Sequence, residues 1–170
     1  EAKKAAAIKN AWKHQIFLDL PKAEKARLRR VDPTILVDKD IKDFAGHPIR
    51  KAGDRVNPLE IQPFTLTLLV FDPLSEDELQ RVKRFLSRNR MAGKPAPVLI
   101  ATRIDKEKGW DSYKSLTDLF DQHLFVLNDE VKNTFEIEAT PTVIRADNRE
   151  HVFLVEELGP VDESKKKAGE

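Results

Sequence analysis

The sequence predicts an α/β domain of the α+β kind, built on a mixed sheet and preceded by a small β-hairpin module and an N-terminal helix. Three observations predict it. Residues 64–104 read as apolar strand, amphipathic helix and apolar strand, the crossover that yields parallel neighbours. Residues 124–146, LFVLNDEVKNTFEIEATPTVIRA, read as strand, short helix, Ala-Thr-Pro-Thr and strand. Residues 34–57 carry short alternating segments punctuated by glycine turns.

The elements follow in chain order. Residues 1–31 are expected to hold a helix and an irregular connector. Ala5, Ile8, Trp12 and Ile16 make one helical stripe, and Pro21 interrupts it. The segment LPKAEKARLRRVDP (20–33) is rich in charge and carries two prolines, which fits an extended or irregular connector. Residues 32–63 form the hairpin module. In it TILVDKDI is a strand, Gly46 and Gly53 permit turns with positive φ, and Asp40 and Asp43 can bond turn amides. Asn57-Pro58 fixes the exit.

Residues 64–160 are the main domain. FTLTLLVF (64–71) is a central strand. Ser75-Glu-Asp-Glu is a capping box, in which Ser75 accepts from the Glu78 N–H and Glu78 reaches back. Leu79, Val82, Phe85 and Leu86 mark the buried side of a helix to about Arg90. PVLIATRI (97–104) is the second strand. Trp110, Tyr113, Leu116, Leu119 and Phe120 mark a second helix, with its aromatic residues in the core. HLFVL (123–127) is a strand, and Val131 and Phe135 share one side of a brief helix. PTVIRA and HVFLVEE form a hairpin around Asp147-Asn148-Arg149-Glu150. Residues 161–170 are a charged tail, expected to be mobile.

Composition bounds the function. With 30 Lys+Arg against 29 Asp+Glu, the net charge of +1 gives no field for nucleic acid. No apolar run approaches the ~20 residues of a membrane span. The chain starts at Glu1, which fits a mature, exported protein whose signal peptide has been removed. It contains no cysteine. Disulfides, thiolate catalysis and thiolate metal sites are therefore outside its chemistry.

The segment ending in Ala139-Thr140-Pro141-Thr142 resembles the stretch by which a thioredoxin-like domain places the proline that faces its redox centre. The resemblance implies a cis Thr140–Pro141 bond, an uncommon geometry. In active members the dithiol follows the first central strand. Here that position holds Phe71-Asp72-Pro73-Leu74-Ser75, with no nucleophile beside a base. Ser75 reads as a helix cap, and no catalytic residue, cofactor or metal site is expected. The vacated site suggests a shallow apolar groove for an extended peptide or a partner, lined by Phe71, Asp72, Pro73, Leu74, Thr140 and Pro141. The plainer reading is a groove that is filled and unused.

A second series lies upstream: LPKA (20–23), Asp32-Pro33, Asp40-Ile41, Asp43, Gly46, Gly53, Asn57-Pro58-Leu59 and Pro63-Phe64. It resembles TraW, the pilus-assembly family of F-type conjugative type IV secretion systems. The likeness spans about residues 20–160 and is strongest over 32–64. Val31 stands where the family often has an aromatic residue, and Asp72-Pro73-Leu74 replaces an Asn-Gly-Asp turn. The resemblance implies a periplasmic, non-enzymatic protein of plasmid conjugation, needed for pilus assembly and DNA transfer. It implies binding to TrbC, a thioredoxin-like protein of the same machinery, and to other secretion components at the periphery of the outer-membrane complex. On this reading Asn57, Pro58, Leu59, Pro63 and Phe64 are partner-binding residues, with Trp12 as a further anchor. The alternative is a redox-inactive thioredoxin-like chaperone or peptide-binding module. A redox descendant with residual isomerase activity is opposed by the lack of cysteine.

Other candidates are plainer. His14, His47, His123 and His151 lack metal-ligand spacing. Asp38, Asp40 and Asp43 lack the glycine and terminal glutamate of a calcium loop. Asp72 and Asp105 follow strands at the carboxyl edge, where α/β sites form, but without a phosphate loop they read as caps or solvated groups. Lys22, Lys25, Arg27, Arg29 and Arg30 read as a solvated connector or as a docking patch for an acidic surface.

Overall fold

The computed structural model describes residues 10–161. Six strands form one mixed sheet: β1 (Arg27–Val31), β6 (Leu68–Phe71), β7 (Val98–Ala101), β8 (Leu124–Val126), β9 (Thr142–Asp147) and β10 (Val152–Glu157), in the order β1-β10-β9-β6-β7-β8. β6, β7 and β8 are parallel, whereas the neighbours β6 and β9, β9 and β10, and β10 and β1 pair antiparallel. Besides a helical stretch at 10–13, the described residues form α1 (Pro58–Ile61), α2 (Glu76–Met91), α3 (Trp110–Phe120) and α4 (Asp129–Thr134).

The sheet is buried on both faces, so its central strands are apolar throughout rather than alternating. Leu69, Phe71, Leu99, Ala101 and Val143 face one side, where α2 contributes Val82 and α3 contributes Leu116. Leu68, Val70, Ile100 and Ile144 face the other, with Leu59 of α1, Phe135 after α4, and Phe153. Two successive crossovers from β6 through β7 to β8 put α2 and α3 on one face.

Three expectations are corrected. The segment 20–33 is not an irregular connector: its second half is β1, an edge strand paired with β10 from Arg27↔Glu157 to Val31↔Phe153. Its alternation is hidden because the inward chains include Arg27 and Arg29, which meet carboxylates instead of apolar residues. The stretch 34–41 is not one strand. β2 (Ile35–Leu36) pairs with β5 (Arg55–Val56), and β3 (Ile41–Lys42) pairs with β4 (Pro48–Arg50), giving two small nested ladders. Among the described residues the N-terminal helix covers 10–13, and Ile16 lies beyond its end, exposed. Ala5 and Ile8 of the predicted stripe, and the tail from residue 162, lie outside the described residues.

The hairpin module is pinned to the β9–β10 turn at both ends of the segment 57–64. Asn57 Oδ1 accepts from the Leu59 N–H at 2.9 Å and caps α1, while its Nδ2 donates to the His151 carbonyl at 2.8 Å. Asn148 accepts from the Phe64 N–H and donates to the Phe64 carbonyl, both at 3.0 Å. Asn148→Ala removes both bonds and should cost about 1–2 kcal/mol, read as a lowered denaturation midpoint with an unchanged slope.

Candidate functional site

The sequence points to two surfaces, the vacated redox groove and the hairpin module. The structure closes the first and leaves the second open.

The Thr140–Pro141 bond is cis. Across it lies the chain's own N-terminal segment. Ala23 N–H donates to the Thr140 carbonyl at 2.7 Å, and Thr140 N–H donates to the Pro21 carbonyl at 3.0 Å, a parallel bridge centred on Lys22 and Thr140. Arg81, buried on α2, holds this segment down. One guanidinium nitrogen donates to the Ala23 carbonyl at 2.7 Å and to the Leu158 carbonyl at 3.0 Å, and the other pairs with Asp77 at 2.5 Å. Lys22 also meets Asp77, at 3.3 Å.

The groove expected from Phe71, Asp72, Pro73, Leu74, Thr140 and Pro141 is therefore not an open site. Phe71, Pro73, Thr140 and Pro141 are buried, and only Leu74 is exposed. Phe71 turns into the core and meets the Phe120 ring edge-on at 5.5 Å. The physical reason is that a main-chain edge left unpaired beside apolar residues is covered most cheaply by a segment already tethered nearby.

Asp72 is an ion-pair member. Arg103 reaches both of its oxygens, at 2.8 to 3.1 Å, and Asp72 also accepts from the Leu74 N–H. Asp105 caps the turn before α3 by accepting from Glu107 N–H at 3.0 Å. Ser75 is the N-cap of α2, accepting from Glu78 N–H at 3.4 Å. The reciprocal half of the capping box is absent, because Glu78 accepts from Asp72 N–H instead, at 3.2 Å. Glu78 is a residue that sequence reasoning placed in the cap and missed as a buried acid. Burial pushes its carboxyl above the ordinary value of 4.5, and the Asp72 N–H and the nearby Thr140 hydroxyl oppose that. A folded-state pKa above the unfolded value means that Glu78 adds stability in full below 4.5 and loses it as pH rises through the folded value. Glu78→Gln should therefore stabilise the protein at pH 7, by about 1 kcal/mol, and not at pH 4. Urea melts at the two pH values measure this.

The basic run is mostly spent within the fold. Arg27 bonds Glu157 and Glu138, Arg29 bonds the Glu136 carbonyl at 2.6 Å and lies 3.6 Å from Glu138, and Arg30 lies 4.0 Å from Glu150. These contacts hold the Glu138 carboxyl below its ordinary range, Arg27 contributing most. The solvated connector and the acidic-surface dock are both replaced by a paired edge strand. Trp12 packs on its own domain, stacked on Tyr113 at 5.9 Å and against Gly109.

The hairpin module is different. Phe44 sits fully exposed in the turn between β3 and β4, and Ile35, Leu36, Ile41 and Ile49 are exposed on the strands. The turns are nonetheless ordered. Gly46 and Gly53 have φ of 85° and 91°. Asp43 accepts from Ala45 N–H at 2.9 Å and His47 N–H at 2.8 Å, and Asp40 accepts from Ala52 N–H at 2.8 Å. The amide bonds, that of His47 foremost, keep the Asp43 carboxyl below its usual range. Behind the module, Pro58, Leu59, Ile61, Pro63, Phe64 and Phe153 line an apolar cavity of about 460 Å³. Of the residues singled out upstream, Pro58, Leu59, Pro63 and Phe64 thus meet at one place. Leu59 is buried in its wall, and Asn57 is the strut behind it.

Among the described residues no group of three or more His, Asp or Glu is arranged to hold a metal ion, and no helix is long and apolar enough to cross a membrane. The chain is a mixed α/β protein whose main chain at Thr140, just before the interior strand β9, is covered from within and whose small β module presents apolar side chains outward. Compared with known proteins, it matches no family model, no curated protein and no solved structure.

Proposed function

We propose that this chain is a non-enzymatic periplasmic assembly protein of an F-type conjugative secretion system, acting in pilus assembly and DNA transfer by binding a TrbC-like partner. The observation that carries this reading is the exposed apolar hairpin module, which coincides with the segment where the TraW-like series is densest. A two-stranded ladder standing in water is marginal on its own. Five large apolar side chains on its surface (Ile35, Leu36, Ile41, Phe44 and Ile49) make sense as one half of an interface. A thioredoxin-like ancestry is supported by the order β7-β6-β9-β10, with Thr140–Pro141 immediately before β9.

The chaperone alternative needs an open peptide groove beside Thr140, and residues 21–23 lie there. The test is genetic. Removing this chain from its own transfer system should abolish piliation and plasmid transfer, with recovery on supplying the exported chain. Undiminished transfer without it would overturn the proposal.

A further inference from the structure

One side of α2 carries a stripe of arginines. Arg81, Arg84 and Arg88 are spaced by three and four residues, so they stand above one another along the helix. They line a pocket of about 300 Å³ between α2 and the chain leaving β10. The wall opposite the arginines includes main chain. Gly159 lies so close to the backbone of Lys25 and Ala26 that a side chain on it would collide with them. Arg81 is buried and ties this wall to the helix, donating to the Leu158 carbonyl at 3.0 Å.

The charges of the pocket do not cancel. Glu156 and Glu157 also line it, but Arg145 holds Glu156 at 3.0 Å and Arg27 holds Glu157 at 3.2 Å. Arg81 is matched by Asp77, and its Nε is a buried donor with no partner. Among the described residues Arg84 and Arg88 make no side-chain hydrogen bond and no ion pair. Two uncompensated positive charges therefore stand one turn apart, which costs helix stability unless an anion lies between them. The helix dipole favours cations in the last turn of α2. It does not account for a stripe that follows one pocket over two turns.

We propose that this pocket binds a phosphate-type dianion through the Arg84 and Arg88 guanidinium groups, with Arg81 beneath them. A guanidinium fork matches two phosphate oxygens at once, which a point charge does not. Two unpaired arginines balance a dianion, whereas a single carboxylate would leave one of them uncompensated. A volume of about 300 Å³ lies at the small end of ligand sites, which suits a small phosphate ester or a phospholipid headgroup. This inference does not depend on the conjugation reading.

The experiment is an NMR titration of the full chain with inorganic phosphate at about pH 8, where the dianion predominates, with chloride holding the ionic strength constant. Saturable shifts at the Arg84 and Arg88 side chains and at the Gly159 amide are expected, with a Kd of about a millimolar or below. Arg84→Gln with Arg88→Gln should weaken binding at least about ten-fold. Both residues are exposed, so the variant keeps the fold. Lys83→Gln with Arg90→Gln removes the same charge from the adjoining side of α2 and should bind like the parent. Asp162 and Glu163, next in the sequence, lie outside the described residues. Neutralising both should leave phosphate binding as tight or tighter, and weaker binding would count against the site. Phosphatidic acid vesicles that retain the parent and release the Arg84, Arg88 variant would place the phosphate on a lipid. Phosphate binding without such retention would place it on a soluble ester. No saturation at ~50 mM phosphate, or equal weakening by the Lys83, Arg90 pair, would overturn the proposal.

Discussion

Phe71→Ala is expected to destabilise the protein by about 3–5 kcal/mol, a large part of the whole for a domain with a total of roughly 5–15 kcal/mol. Phe71 is among the largest fully buried side chains, and it closes β6 against the Phe120 ring. Truncation leaves a void between the sheet and α3 that the rigid strands on either side cannot collapse into. The sequence places Phe71 at the end of an apolar run, where it could equally have lined a groove. Chemical denaturation distinguishes the two positions: a groove residue would change the midpoint little. Leu74→Asp, three residues on and exposed, should leave the midpoint nearly unmoved, within about 0.5 kcal/mol.

Arg81→Ala is the second large effect, about 3 kcal/mol. The guanidinium is buried and bonds two main-chain carbonyls, those of Ala23 and Leu158, besides Asp77. Alanine strands both carbonyls and removes the clamp on the segment over Thr140. The loss should be local as well as global. Amide exchange at Ala23 and Thr140, which now bond Thr140 and Pro21, should accelerate well beyond the drop in global stability. Lysine at 81 would not restore all three contacts, because its single ammonium nitrogen cannot serve the two carbonyls and Asp77 together as the two guanidinium nitrogens do.

Local signals in the sequence carry most of the architecture. The apolar runs ending in Phe71 and Ala101, the cap at Ser75 and the turn around Asn148 each appear where periodicity and turn chemistry put them. What is not legible depends on distant partners. β1 hides because alternate residues are arginines whose partners, Glu138 and Glu157, lie more than a hundred residues away. Glu78 reads as a helix-cap residue because nothing local reports that the distant Thr140 will lie beside its buried carboxyl. The covered main chain at Thr140 is the same case: whether it lies open depends on where a flanking segment settles, and a proline-interrupted stretch has no periodicity to declare that. The hairpin module is the converse. Its turns are readable from Gly46, Gly53, Asp40 and Asp43, and the exposure of Phe44 and Ile49 follows only once no other element covers them.

The central claim is that this chain works by binding through its hairpin module. The most direct test is calorimetric titration with the purified TrbC-like protein of the same transfer system, using the unaltered chain and a Phe44→Asp, Ile49→Asp double variant. Both residues are exposed, so the variant should melt like the parent. The account predicts saturable one-to-one binding for the parent and at least a roughly ten-fold weaker Kd for the variant, since two lost apolar anchors exceed the 1.4 kcal/mol that a decade requires. Equal affinities for the two proteins, or no heat from the folded parent at tens of micromolar, would contradict it.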